Sequence, residues 1–282
     1  MNYKDLFAPP PATDCNILSL GAGVQSSALA LMAAAGEIGP MPDAAIFADT
    51  HAEPASLYRW LDWLEKQLPF PVIRISAGDL AETSTRPRLS GRSGEYYLSH
   101  NVPAYTVNSD GSAGNYRRQC TDKHKIVPLT KETDRIRNGK PATVWIGISW
   151  DEIQRMKDAH RDGVQHRWPL IERQWTRRHC IEWMEARGYP SPPRSACSFC
   201  PYHSNREWRR LRAEEPEAWA QAQEYERRLQ EAAKSVPRLD GVPFLHPSRV
   251  PLGEVNLDAD ANQLEFAGLQ TLQNECSGMC GV

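Results

Sequence analysis

Residues 15–28 read CNILSLGAGVQSSA, a short apolar run followed by a loop with two glycines and then by small helix-forming residues. This order predicts a buried strand, a glycine loop and the start of a helix. Backbone N–H groups and the positive end of the helix would then surround one anion-sized space. Gly21 and Gly23 allow close backbone approach and positive φ angles. The stretch therefore predicts a phosphate-binding loop, and a serine-capped turn without a ligand is the alternative.

The alternation of strand and helix continues downstream. Residues 44–48 (AAIFA), 71–76 (PVIRIS) and 143–149 (TVWIGIS) are predicted strands. Residues 55–67 and 176–187 have the pattern of amphipathic helices. Strands that alternate with helices pair in parallel, so we expect an α/β fold with a Rossmann-like parallel sheet and helices on both faces.

Three other segments complete the predicted organisation. Residues 78–119 are aperiodic and rich in Gly, Ser, Pro, Arg and Tyr, and a connector of this length is usually functional or disordered. Residues 205–234 predict a long charged helix that breaks near Pro216. Residues 236–282 are aperiodic again. We expect residues 1–235 to form the main domain and residues 236–282 to form a covering segment.

Composition limits the classes of function. The formal net charge is −2, so the overall field would not draw the protein onto nucleic acid or an anionic membrane, and any such contact needs a local patch. The longest nearly apolar run, residues 28–35, is far shorter than the ~20 residues that span a bilayer. Residues 1–13 lack the pattern of a signal peptide. We expect a cytoplasmic protein without a membrane partner.

The cysteines indicate metal or redox chemistry. Seven is an odd number, and the chain has enough apolar residues for a core without disulfides. Cys197 and Cys200 form a C-x-x-C pair that can reach one metal centre, and Cys120 is a third candidate. Soft thiolates select zinc, copper(I) or iron-sulfur clusters. His124 or His203 would complete a four-ligand zinc site, which remains an alternative.

Several stretches resemble one superfamily. Residues 19–27 resemble the PP-loop of the adenine-nucleotide α-hydrolase-like superfamily, with Leu20 and Gln25 at the positions of its first glycine and its aspartate. Residues 47–53 (FADTHAE) resemble the second-strand motif of phosphoadenosine phosphosulfate (PAPS) reductase relatives. The resemblance implies a HUP-type fold that binds ATP, with or without Mg²⁺, or another adenine nucleotide. The implied nucleotide-binding residues are Ser19, Gly21, Gly23, Gln25, Ser26, Ser27, Ala48, Asp49 and Gly147.

The cysteine segments also resemble this family. Residues 118–129 (RQCTDKHKIVPL) and 194–202 (RSACSFCPY) are similar to the two cysteine segments of assimilatory sulfate reductases, with Gln119 in place of one cysteine. The resemblance implies a 4Fe-4S cluster whose fourth site is open or is filled by a cysteine of the C-terminal tail. The implied metal ligands are Cys120, Cys197, Cys200 and Cys280, with Cys276 as the other tail candidate.

The resemblance extends to catalytic side chains. Residues 147–155 resemble a family segment whose arginine, here Arg155, approaches the phosphate or sulfate end of the nucleotide. A Glu-Cys-Gly-like tail carries the nucleophilic cysteine in the reductases, which implies that role for Cys276, although a frayed tail is the alternative. Lys123 can lower a thiolate pKa or hold an anion beside Cys120. The implied catalytic residues are Cys276, Asp49, Arg155 and Lys123. Helix capping is the alternative for Asp49 and Glu53.

Two enzymatic functions and one binding function follow as expectations. In the first, ATP adenylates an oxygen of a nucleotide or nucleic acid, and sulfur then displaces AMP. In the second, the protein is a PAPS or adenylylsulfate reductase that releases sulfite. In the third, it is a zinc-stapled binding module without catalysis. The expected partners are an adenine nucleotide, a nucleic-acid substrate and a sulfur donor, namely sulfide, a cysteine desulfurase or a thioredoxin-like reductant.

Two groups of arginines are candidates for contact with a polyanion. Residues 86–92 carry three arginines that would close over such a substrate, with a solvated loop as the equal alternative. Residues 205–212 (NREWRRLR) carry four more, followed directly by glutamates. A nucleic-acid backbone would suit the second patch, although most helices of this kind are simply solvated. Cys15 and Cys180 have apolar neighbours and are expected to be buried small hydrophobes.

Overall fold

The structure is a computed structural model that describes residues 10–99, 102–236, 239 and 241–258. Its strands are β1 (Cys15–Ser19), β2 (Ala44–Asp49), β3 (Val72–Ser76), β4 (Arg88–Leu89), β5 (Tyr96–Tyr97), β6 (Ala104–Val107), β7 (Ala113–Tyr116), β8 (Ala142–Ile146), β9 (Val164–Arg167) and β10 (Val242–Phe244). Its α-helices are α1 (Val24–Ala34), α2 (Ala55–Glu65), α3 (Leu80–Thr85), α4 (Val127–Arg137), α5 (Pro169–Glu172), α6 (Arg177–Glu185), α7 (Asn205–Glu214) and α8 (Pro216–Lys234).

The central sheet is parallel throughout, in the order β3-β2-β1-β8-β9. Every residue of β1 and β8 is buried, as expected for strands covered on both faces. The predicted α/β fold is therefore confirmed. The chain runs from β1 outward to β3 on one side and from β8 to β9 on the other. The strand order thus reverses between β1 and β8, which is where open α/β sheets bind ligands.

Helices α1 and α2 explain how the first core forms. Ten of the eleven residues of α1 are buried, because this helix lies between the sheet and α6 and has no solvent-exposed face. Helix α2 is amphipathic and buries Leu57, Trp60, Leu61 and Leu64. These side chains pack with Leu18, Phe47 and Trp145 of the sheet into one apolar cluster. The buried core holds the amino end of α1 beside the carboxyl ends of the strands.

A second core lies beside the sheet. The predicted aperiodic segment 78–119 contains α3 and the antiparallel pairs β4–β5 and β6–β7. Strand β10 pairs with β6, so part of the predicted covering segment completes a three-stranded sheet. Helices α7 and α8 pack beneath it through Trp208, Tyr225 and Leu229. The predicted break at Pro216 is confirmed, because α8 begins there.

Residues 242–258 are held on α8 by a buried carboxylate. Glu226 accepts hydrogen bonds from the backbone N–H groups of Leu245 (2.8 Å) and Leu252 (2.7 Å). The tail cysteines, Cys276 and Cys280, lie outside the described residues. Among the described residues, the helices are all too short or too polar to cross a membrane.

Candidate functional site

The glycine loop lies at the point where the strand order reverses. It leaves β1 at Ser19, and α1 begins after Gly23, which is the N-cap and has no side chain to bond the first N–H groups of the helix. The positive φ angle falls on Ala22 (55°), whereas Gly23 has a φ of −88°. Gly23 allows the glycine loop to pack closely against Ser195, since a Cβ at position 23 would lie 3.3 Å from Ser195 Cβ. The helix end is therefore open to an anion.

Gly147, directly after β8, packs against the first turn of α1. A Cβ on Gly147 would lie 2.9 Å from both the backbone N and the Cα of Ser26, so only glycine fits without a shift. Ser26 Oγ donates to Gly23 O at 3.4 Å. Ser27 is fully buried and its Oγ accepts from Trp60 Nε1 at 3.0 Å, which turns this hydroxyl into the core. Ser19 is also buried at the end of β1.

Gln25 connects the loop to the segment after β8. Its Nε2 donates to Glu152 Oε2 at 3.1 Å and to Ser149 Oγ at 3.4 Å. Arg155 donates to the other oxygen of Glu152 and is mostly buried. Arg155 is thus held beside the glycine loop rather than solvated. The sequence pattern did not predict a role for Glu152, whose carboxylate accepts hydrogen bonds from both Gln25 and Arg155.

Asp49 and Ala48 lie at the carboxyl end of β2. Asp49 accepts a hydrogen bond from Tyr58 Oη at 2.7 Å and one from the backbone N–H of His51 at 2.8 Å. Burial, followed by the bond to Asp49, raises the pKa of the Tyr58 hydroxyl. The N-cap of α2 is Pro54, so neither Asp49 nor Glu53 caps this helix. Asp49 therefore faces the strand ends with a fixed orientation.

Three of the predicted metal ligands meet in one cavity. Cys120, Cys197 and Cys200 line this cavity together with Thr50 at the end of β2. The other lining residues are Leu80, Val102, Pro103, Arg118, Thr121, Lys125, Phe199 and Tyr202. Cys15 and Cys180 are buried elsewhere, as expected for small hydrophobes.

Cys197 contacts a buried ion pair. Its Sγ lies 3.7 Å from Glu53 Oε1 and 3.5 Å from Thr50 Oγ1. Glu53 Oε1 also pairs with Lys125 Nζ at 3.3 Å, and the two side chains are 1% and 10% exposed. Burial, and secondly the Glu53 carboxylate, raise the pKa of the Cys197 thiol, while Lys125 opposes them. The cavity therefore combines soft sulfur ligands with one buried cation.

The lysine at the cavity is Lys125 and not Lys123. Lys123 is half exposed and pairs with Asp122 at 2.9 Å. A π-helical turn, Asp122–Ile126, interrupts the helix that begins at Cys120. Its i→i+5 spacing brings residues 120 and 125 to the same side, where a regular helical period would separate them.

The imidazoles of the zinc alternative lie outside the cavity lining. His203 Nε2 donates to the carbonyl of Cys197 at 2.9 Å, and burial lowers the pKa of this imidazole to about 3. His124 Nε2 is 3.1 Å from Thr83 Oγ1. Across the described residues, no group of three or more His, Cys, Asp or Glu side chains is placed to hold a metal ion.

One short segment joins the glycine loop to the cysteines. Ser195 Oγ donates to the carbonyl of Gly21, and Ser198 N donates to Ala52 O at 2.7 Å. Cys197 lies between these two contacts. Arg194, just before them, has buried Nε and Nη2 atoms that find no hydrogen-bond partner in the described part of the chain. One short segment of chain therefore contacts the glycine loop and also carries Cys197 and Cys200.

Most arginines of α7 form hydrogen bonds or ion pairs within the protein. Arg210 donates to Glu207 and Glu215, Arg209 to the carbonyl of Leu257, and Arg212 lies 3.6 Å from Asp258. These contacts fix α7 to its neighbours, so the helix does not present the patch of unpaired cations that we considered for nucleic acid.

No family model and no curated protein matches this chain. Its function must therefore follow from the geometry of the site.

Proposed function

We propose that this chain is an iron-sulfur PP-loop enzyme of the PAPS reductase type, which binds ATP and transfers sulfur to an adenylated nucleotide or nucleic-acid substrate. One observation carries the proposal. The segment of residues 194–200 bonds the glycine loop through Ser195 and supplies Cys197 and Cys200 to the cavity. A bound nucleotide and a sulfur-handling centre would thus be neighbours, as coupled adenylation and sulfur transfer requires.

The nucleotide half rests on the anion site. The uncapped N–H groups of α1 would hold the departing pyrophosphate, and Arg155, fixed by Glu152, would add positive charge. Attack by a substrate oxygen on the α-phosphorus would form the adenylate and release pyrophosphate. Asp49, at the neighbouring strand end, would orient the nucleoside through the oxygen that is not bonded to Tyr58.

The sulfur half rests on the donor set. Each thiolate of a 4Fe-4S cluster binds a different iron, so such ligands stand around a cavity rather than at one point. Cys120, Cys197 and Cys200 would hold the cluster, and a tail cysteine or an open iron would complete it. When bound, the cluster would carry the sulfur that replaces the adenylated oxygen as AMP departs. The phenyl ring of Phe199 and the side chain of Leu80 would limit water there.

Product analysis tests the proposal against the reductase alternative. Anaerobic protein, ATP, sulfide and a nucleic-acid acceptor should give AMP and pyrophosphate in equal amounts. Given a dithiol reductant, a reductase would instead release sulfite from PAPS or adenylylsulfate as the dithiol is oxidised to a disulfide, and it would lose this activity in Cys276→Ala. If neither AMP with pyrophosphate nor sulfite forms with any tested acceptor, both functions are contradicted.

Gly147→Ala should weaken ATP binding about tenfold or more. The added Cβ displaces the backbone of Ser26, and overpacking of this kind typically costs ~1–3 kcal/mol. Isothermal titration with ATP measures the change. Gly91→Ala is the matched control, because its Cβ would enter open space at an ordinary φ. Equal affinities of the two variants would show that the glycine loop does not form the nucleotide site.

A further inference from the structure

The pair β4–β5 forms a hairpin that lacks a partner within the described chain. Arg88 pairs with Tyr97 and Leu89 with Tyr96, so each face carries one directly opposed pair. Three of the five exposed large hydrophobic side chains of the described residues lie here, namely Leu89, Tyr96 and Tyr97, which are 61%, 49% and 43% exposed. A two-stranded hairpin is marginal by itself and gains from being covered.

The charge of the hairpin selects the kind of partner. Residues 86–97 hold three arginines and one glutamate. The guanidinium groups of Arg88 and Arg92 form neither hydrogen bonds nor ion pairs with the described residues, and Arg86 has only a distant exposed contact with Glu82 (3.9 Å). This differs from α7, whose arginines are engaged. Exposed cations interleaved with tyrosines match the phosphates and base faces of a single strand.

The position of the hairpin connects it to the thiols. Leu80, at the start of α3, lines the cysteine cavity, and its backbone N–H donates to Thr50 O at 3.0 Å. On the far side, Leu98 is buried in the second core, and Val102 and Pro103 line the same cavity. Both stems of the hairpin therefore return to the rim of the cavity, so a strand bound there would reach it.

We infer that the hairpin of residues 86–97 binds single-stranded nucleic acid, with Tyr97 stacking on a base and with Arg88, which lies on the same face, and Arg92 contacting phosphates. This names the acceptor of the proposed sulfur transfer and rests on that function. Binding itself requires neither ATP nor a cluster. The hairpin, and not α7, then provides the local patch that a chain of net charge −2 needs.

Fluorescence anisotropy tests the inference with labelled mixed-sequence RNA and DNA oligonucleotides of about 20 nucleotides, single-stranded or annealed, without ATP. Tyr96→Ala/Tyr97→Ala should weaken single-strand binding about tenfold or more. Arg88→Gln/Arg92→Gln should lower the slope of log affinity against log salt by about 1.4. Arg178→Gln/Arg227→Gln removes two exposed arginines of α6 and α8 and should leave binding near the native level.

Three results would overturn the inference. The first is that both hairpin variants bind oligonucleotides with native affinity, and the second is that the control variant loses as much affinity as they do. The third is that the native protein binds no oligonucleotide at ~0.1 M salt, which would favour a protein as the partner of the hairpin. Circular dichroism of the variants checks the fold, which exposed substitutions should preserve. Failure of the proposed function would appear separately, as absence of ATP binding and of iron in a protein that still binds oligonucleotides.

Discussion

Cys197→Ala, purified without oxygen, should contain almost no iron or sulfide, whereas the native chain should contain about four of each. The Cys120→Ala and Cys200→Ala variants should behave in the same way, because all three thiols line one cavity. Sulfur transfer to the acceptor should fall to background in each variant. Iron and sulfide analysis together with the visible absorption spectrum provides the measurement.

Cys15→Ala is the matched control for this experiment, since Cys15 is buried in a separate cluster beneath the sheet. It should retain iron and sulfide. Cys276→Ala and Cys280→Ala then distinguish a tail ligand from an open iron. Zinc at one equivalent without sulfide in the native protein would overturn sulfur transfer and favour the zinc-stapled binding module.

Lys125→Met should lower the free energy of unfolding by ~3–5 kcal/mol, because it leaves the Glu53 carboxylate buried without its counter-charge. Lys123→Met, two residues away, should change it by at most ~1 kcal/mol, since Lys123 and Asp122 are both about half exposed. Urea denaturation followed by tryptophan fluorescence compares the two variants in the same segment.

The double variant Glu53→Gln/Lys125→Met identifies the cause. Removal of the carboxylate charge should recover part of the loss, so the double variant should be more stable than the sum of the two single changes predicts. Equal effects of Lys125→Met and Lys123→Met would contradict the buried pair. They would indicate that the Lys125 ammonium group lies in solvent.

Local patterns were sufficient for the main sheet and insufficient for its surroundings. The strands β1, β2, β3 and β8 were predicted within three residues because their apolar runs are bounded by turn residues. Strand β9 (VQHR) was not predicted, since a polar edge strand has no apolar period. The pairs β4–β5 and β6–β7 are short, and their pairing depends on contacts that a sequence pattern does not record.

The parallel sheet, the glycine loop at its centre and the types of residue available for chemistry follow from local sequence patterns, because hydrophobic period and glycine placement act over a few neighbouring residues. Which of those residues meet depends on the packing of the whole fold. The fold brings Cys120 beside Cys197 and Cys200 and places Lys125, not Lys123, at the cavity. It also makes Glu53 a buried ion-pair partner of Lys125 and not a helix cap. These choices depend on packing between distant segments and on one π-helical turn, and neither follows from local propensity.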